Sequence, residues 1–172
     1  MEVRISLPNY DESLRTNDDV DDIIDRYSKT VYRLAFAQTK NRNDADEVFQ
    51  EVFLRYIRKK PSFESSEHEK AWFLRVTINC CKNIWMSRKK AQSEQLDDNI
   101  AWESEEEIRL DRYLNALPKD YRTVIHLFYY EDLSTAEISK VLDRKESTVR
   151  VQLTRARRLL RDMMEGEDFS DR

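Results

Sequence analysis

Between Lys145 and Arg161 the chain places Arg150, Thr154, Arg157 and Arg161 on one side of a helical pattern, with Arg155 and Arg158 flanking it and Lys145, Ser147 and Thr148 at its start. Arginine forks bond guanine edges bidentately, while hydroxyls and free helix N–H groups suit phosphate oxygens. The chemistry on offer is recognition of duplex DNA. A second set lies upstream, where Trp72, Phe73 and Trp85 stand near Arg75, Lys82, Arg88, Lys89 and Lys90. Rings that stack beside cations suit unpaired bases on an anionic backbone. Some of these rings must serve the core instead. Trp85 shares an apolar stripe with Leu74, and both are assigned to packing. Little here points to catalysis. The chain has one glycine, Gly166, so neither a dinucleotide fingerprint nor a phosphate loop can be written. Cys80 and Cys81 are adjacent, His68 and His126 stand far apart, and neither pair has metal-ligand spacing. No cofactor and no metal are expected.

The elements that must position these groups read as helices. With one Gly and three Pro in 172 residues, a turn-rich sandwich or barrel is disfavoured. Val20, Ile23, Ile24, Tyr27, Val31, Leu34 and Ala35 repeat at spacings of three and four and predict a helix over 20–40. Asp44 is the expected N-cap of the next helix, with Glu47 as its capping-box partner. Val48, Phe49, Val52, Phe53, Tyr56 and Ile57 form that helix's apolar stripe, and Pro61 ends it. Residues 61–69 read as a loop. A long helix then runs from about Lys70 to Gln92, with Leu74, Ile78, Cys81 and Trp85 inward. Further on, Ile108, Leu110, Tyr113, Leu114 and Leu117 precede Pro118, which can open a helix. Ser134 and Glu137 make a capping box, Asp143-Arg144 turns the chain, and a basic helix follows: a helix-turn-helix.

Charge divides along the chain. Residues 26–90 hold 15 bases against 7 acids and 112–162 hold 11 against 7, whereas 91–111 hold 8 acids against 1 base. The basic blocks suggest a polyanion partner, although cations that merely solvate helix surfaces would look the same. The expected organisation is all-α: an acidic tail over 1–19, a helical domain over 20–92, a flexible acidic linker over 93–108, a second domain over 109–163 and an acidic tail over 164–172. Hydrophobic residues make up 40%, enough for a compact core. The stretch from Met1 to Asp25 lacks signal-peptide character, and no apolar run approaches a membrane span. The chain is expected in the cytoplasm.

Leu117-Pro118, Arg122, Leu127, Leu133-Ser134, Glu137-Ile138, Thr148-Val149 and Arg155-Ala156-Arg157 resemble region 4 of sigma factors. Asp44-Ala45, Glu47, Gln50-Glu51 and Phe53 resemble the region 2 helix that docks on bacterial RNA polymerase. Trp72-Phe73-Leu74-Arg75, Asn79 and Arg88-Lys89-Lys90 resemble its promoter-opening part. The two regions together resemble the extracytoplasmic-function (ECF) subgroup of the sigma-70 family. The resemblance implies a promoter-specificity subunit, not an enzyme, monomeric when free. It implies polymerase contacts at Asp46, Glu47, Gln50 and Glu51. For the −10 element it implies Phe63, Ser66, His68, Trp72, Arg75, Asn79, Lys82, Arg88 and Lys89, with the loop Phe63–Glu69 capturing a flipped-out base. For the −35 element it implies Lys145, Ser147, Thr148, Arg150, Val151, Thr154, Arg155 and Arg158. Its partners would be core polymerase, promoter DNA and an anti-sigma factor, which could hold it at the membrane; no small-molecule substrate is implied.

Two departures stand out. Asp143 and Ser147 occupy positions that often carry Gly in this family, so the turn could differ. Glu64, Glu67 and Glu69 place acids in the base-capturing loop. Two other functions compete: a free-standing dimeric regulator that reads half-sites about 10 base pairs apart, and a nuclease or hydrolase. The second needs paired carboxylates, a metal site or an activated nucleophile that the sequence does not convincingly assemble.

Overall fold

A computed structural model describes residues 10–91 and 105–168, with side chains at 19–89 and 110–166. The two chain ends and most of the acidic linker lie outside the described residues. Among the described residues every regular element is a helix: α1 (Tyr10–Thr39), α2 (Arg42–Lys59), α3 (Ser66–Ala91), α4 (Glu105–Ala116), α5 (Lys119–Tyr129), α6 (Thr135–Leu142) and α7 (Glu146–Asp168). The all-α expectation holds.

Helix bounds differ from the sequence reading in several places: α4 starts at Glu105, inside the stretch read as a linker, and α7 runs to Asp168, inside the stretch read as a C-terminal tail. α1 begins ten residues before Val20, inside the stretch read as a tail. α2 is capped by Asn41, whose extended backbone lets its side chain accept the Asp44 N–H at 3.0 Å. Asp44 therefore sits inside the helix, buried, in an ion pair with Arg88. α3 begins at Ser66, because Ser65 accepts the His68 N–H at 3.1 Å and so ends the loop early.

α1, α2 and α3 enclose one core around Val31, Val48, Val52 and Phe73. The rings of Tyr27 and Phe73 stack at 4.4 Å, and Phe53, Tyr56 and Trp72 pack around Phe73. Phe73 is thus core, whereas Ile57, expected on the apolar stripe, is exposed. A second core lies among α4 to α7, around Leu117, Leu127, Ile138, Val149 and Leu153.

That second core also takes Leu34 of α1 and Leu74 and Ile78 of α3. The inward stripe of α3 therefore splits. Cys81 belongs to the first core, Leu74 and Ile78 face the other half of the molecule, and Trp85 belongs to neither and is 55% exposed. α3 is apolar on two sides, as a helix sandwiched between two layers must be.

Polar contacts reinforce this seam. Gln38 Nε2 donates to Thr123 Oγ1 at 2.7 Å, and Lys70 Nζ donates to the Glu131 carbonyl at 2.7 Å. Arg122 is buried. It donates to the carbonyls of Leu114 (3.1 Å) and Leu117 (2.9 Å) near the end of α4, and to Ala37 (2.9 Å) near the end of α1. The last four carbonyls of a helix have no partner within it, so this one guanidinium serves two helix ends. Lys40 adds a bond to the Asn115 carbonyl.

Candidate nucleic-acid interface

α6 and α7 form the helix-turn-helix. Ser134 caps α6 with both bonds of the capping box in place, and hydrogen bonds donated by the Ser134 hydroxyl (2.6 Å) and backbone N–H (2.7 Å) hold the Glu137 carboxyl below the usual carboxylate range. Asp143 ends α6 in the left-handed region at φ 52°, and the N–H groups of Asp143 and Arg144 both reach the Ser139 carbonyl. The turn thus keeps the geometry that Gly would favour, without a Gly. Thr135 Oγ1 donates to Glu146 at 2.7 Å and fastens the start of α6 to the start of α7.

Val149, Leu153 and Ala156 anchor α7 in the core. Lys145, Ser147, Thr148, Arg150, Val151, Thr154, Arg155 and Arg158 are all exposed. The structure places this set on the outer surface of α7 and, for Lys145, just before its start. Arg150 is held by Glu146 at 2.7 Å, and hydrogen bonds from Thr135 and Arg150 hold the Glu146 carboxyl below its ordinary value. Arg157 turns elsewhere: its Nε donates to Tyr129 Oη at 2.8 Å, with the guanidinium over the Phe128 and Tyr129 rings.

In the first half, Phe63, His68 and Trp72 lie together, with Phe63 at 5.6 Å from the His68 ring and 5.9 Å from Trp72. They gather where the short loop meets the start of α3, with Ser66 exposed beside them. Of the acids there, Glu69 turns inward to Arg26 (2.9 Å) and the Tyr27 hydroxyl (2.8 Å). Hydrogen bonds from its own backbone N–H and Ser65 lower the Glu67 carboxyl, as suits an acid in a helix's first turn. Arg75, Asn79, Lys82 and Lys89 are exposed along α3. Arg75 spends its guanidinium on the Lys140 carbonyl at 2.6 Å, and Arg88 on Asp44.

On α2, Asp46, Glu47 and Gln50 are exposed, and Glu51 is half-buried and paired with Arg55 at 2.6 Å. The same face continues through Leu54 and Ile57, each 42% exposed. Sequence reasoning missed these two as surface residues. The spacing 47, 50, 54, 57 marks them as one line on a helix. No group of His, Cys, Asp or Glu among the described residues could hold a metal ion, and no helix among them is long and apolar enough to cross a membrane.

Residues 23–91 match Sigma-70 region 2, and residues 107–160 match Sigma-70, region 4. The chain belongs to the sigma-70 family. Its relatives place it in the ECF subgroup. It is 29% identical over 150 residues to RNA polymerase sigma factor SigV of Bacillus subtilis, covering 84% of this chain and 90% of that one. ECF RNA polymerase sigma factor SigE of Mycolicibacterium smegmatis is 29% identical over 157 residues, covering 84% and 61%. The fold matches the sigma factor RpoE of Bartonella quintana, solved with the anti-sigma factor NepR. That likeness has a TM-score of 0.75 at 18% identity and covers 86% of this chain and 97% of the other. CnrH, solved with the cytosolic domain of CnrY, follows at a TM-score of 0.67 and 21% identity, covering 87% and 90%. This ECF factor is a promoter-recognition subunit of RNA polymerase. Its α2 and α3 lie in region 2, and the helix-turn-helix of α6 and α7 lies in region 4.

Proposed function

We propose that this ECF factor divides promoter recognition between two helices. α7 reads the −35 element in the major groove through Arg150, Val151, Thr154, Arg155 and Arg158, with Lys145, Ser147 and Thr148 on phosphates. The Phe63, His68 and Trp72 group with Ser66 receives an unpaired −10 base. Arg75, Asn79, Lys82, Arg88 and Lys89 follow the strand along α3. Asp46, Glu47, Gln50 and Glu51 meet the core polymerase, with Leu54 and Ile57 supplying apolar area beside them. The observation that carries this reading is the exposed set of Lys145 and seven α7 residues, all but Val151 basic or hydroxylic, on a helix anchored from behind by Val149, Leu153 and Ala156.

The work is done by binding: unstacking energy is recovered where the extruded base is held, and no covalent step is assigned. RpoE and CnrH were each solved with a second protein named in those structures, an anti-sigma factor in the first case. A protein of that kind is the proposed regulator here, acting in the cytoplasm. The test is run-off transcription with bacterial core polymerase and a pool of randomised promoters. Transcripts that depend on this chain and share one two-part motif are expected. No stimulation, together with no binding to the same core enzyme, would count against the assignment of α2.

A further inference from the structure

We propose that Trp85 is a promoter contact, its indole stacking on an unpaired base at the far end of the row of exposed residues along α3. The inference rests on the promoter reading above and adds a residue to it. Arg75, Asn79, Lys82, Met86 and Lys89 are all exposed and recur at spacings of four and three, so they share one line along α3. At 1.5 Å per residue that line is about 21 Å long, the length of about six bases at 3.4 Å each. Trp85 stands beside it, 55% exposed, with Met86 at 61%.

The indole is this open because it lies outside both cores. What surrounds it is cationic. The Lys89 ammonium lies 5.2 Å from the ring centroid and the Lys119 ammonium 5.3 Å. Lys82 precedes it by one helical turn and Arg88 follows by another. A flat ring set among cations offers a stacking face for any base and charge for its phosphate. A protein partner would also use an exposed Trp, but the row of cations favours a polyanion.

Lys119 comes from α5, across the seam. Separation of the two halves would carry Lys119 away with α5 and free a side of the indole. In the compact form Lys119 occupies a place that a base takes in the complex.

The test uses holoenzyme carrying the full chain and the promoter selected by run-off transcription, as intact duplex and with the −10 region held open by mismatches. Stacking of one base on an aromatic ring is worth about 1–3 kcal/mol, or about 5- to 150-fold in affinity. Trp85→Ala is expected to weaken binding to the open template by about tenfold or more. Trp85→Phe should stay within about threefold of wild type. Affinity for core polymerase and for an isolated −35 duplex should be unchanged in both. Wild-type binding of the open template by Trp85→Ala would overturn the proposal, and so would a loss traced to weaker polymerase binding, which would make Trp85 a protein contact. Failure of the wild-type holoenzyme to bind any selected promoter would instead remove the promoter reading on which the proposal rests.

Discussion

At the scale of single residues, the surface of α7 carries opposed demands. Arg150 is exposed but committed to Glu146 at 2.7 Å. To reach a guanine edge it must exchange one anionic partner for DNA, so its contribution is a difference between two bonded states. Arg150→Ala and Arg155→Ala should each weaken −35 binding by about 1–3 kcal/mol if bidentate base contacts are lost. Titration against a panel of −35 duplexes checks this, and unchanged sequence preference in both variants would dismiss the recognition face. Asp143 illustrates a different constraint. At φ 52° its Cβ is crowded in a way that Gly avoids. Asp143→Gly should raise stability by up to about 1 kcal/mol, less what Gly loses in chain entropy. Urea unfolding at neutral pH measures it, and a fall in stability would show that the Asp side chain supports the turn. The capping box, the turn and the basic outer surface of α7 were all legible in the sequence, because each is local: its parts lie within one or two helical turns.

At the scale of elements, what holds each helix end decides more than propensity does. α6 is eight residues long and depends on its cap. Ser134→Ala should cost about 1 kcal/mol. Hydrogen bonds depress both Glu137 and Glu146 in the fold, below an ordinary value of 4.5. A depressed carboxyl gives its stabilisation in full above the unfolded value and loses it as pH falls through the lower folded value. Unfolding free energy should therefore fall as pH drops below about 4.5, and the Glu137→Gln, Glu146→Gln double variant should show a shallower fall. Equal slopes would refute the assignment. Arg122 matters more. Arg122→Met leaves the carbonyls of Leu114, Leu117 and Ala37 without this buried donor and should destabilise by about 3 kcal/mol in urea titrations. The sequence marks Arg122 only as a match to region 4. Its bond to Ala37 spans 85 residues, a distance that periodicity does not report. The same blindness explains α3. Leu74, Ile78, Cys81 and Trp85 share a spacing, but spacing shows only that they share a side, and that side meets one core, then another, then solvent.

At the scale of the molecule, the seam and the proposed function pull in opposite directions. Arg75 on α3 bonds the Lys140 carbonyl on α6 at 2.6 Å, so the two units proposed to read DNA touch. Elements centred about 25 base pairs apart lie about 85 Å apart along straight duplex at 3.4 Å per base pair. On straight duplex the compact molecule cannot read both, so the halves are expected to separate on the promoter. Separation exposes Leu34, Leu74 and Ile78, now fully or almost fully buried. At about 1.5–3 kcal/mol for each such side chain, opening costs on the order of 5 kcal/mol, which contacts with polymerase and DNA must exceed. Spin labels on cysteines introduced at Asn83 and Ala136, both exposed and on opposite sides of the seam, would follow this. The native thiols are buried, and burial pushes Cys81 up to about 12, so they compete weakly for the label. A single short distance is expected in the free protein, lengthening by tens of ångströms in the promoter complex. Leu74→Asn, which places an amide in the seam, should populate the long distance without DNA and bind the promoter-bound polymerase site more tightly, because part of the opening cost is removed in advance. A short distance that persists in the promoter complex would mean that the seam survives recognition, and that the DNA bends to bring its two elements together.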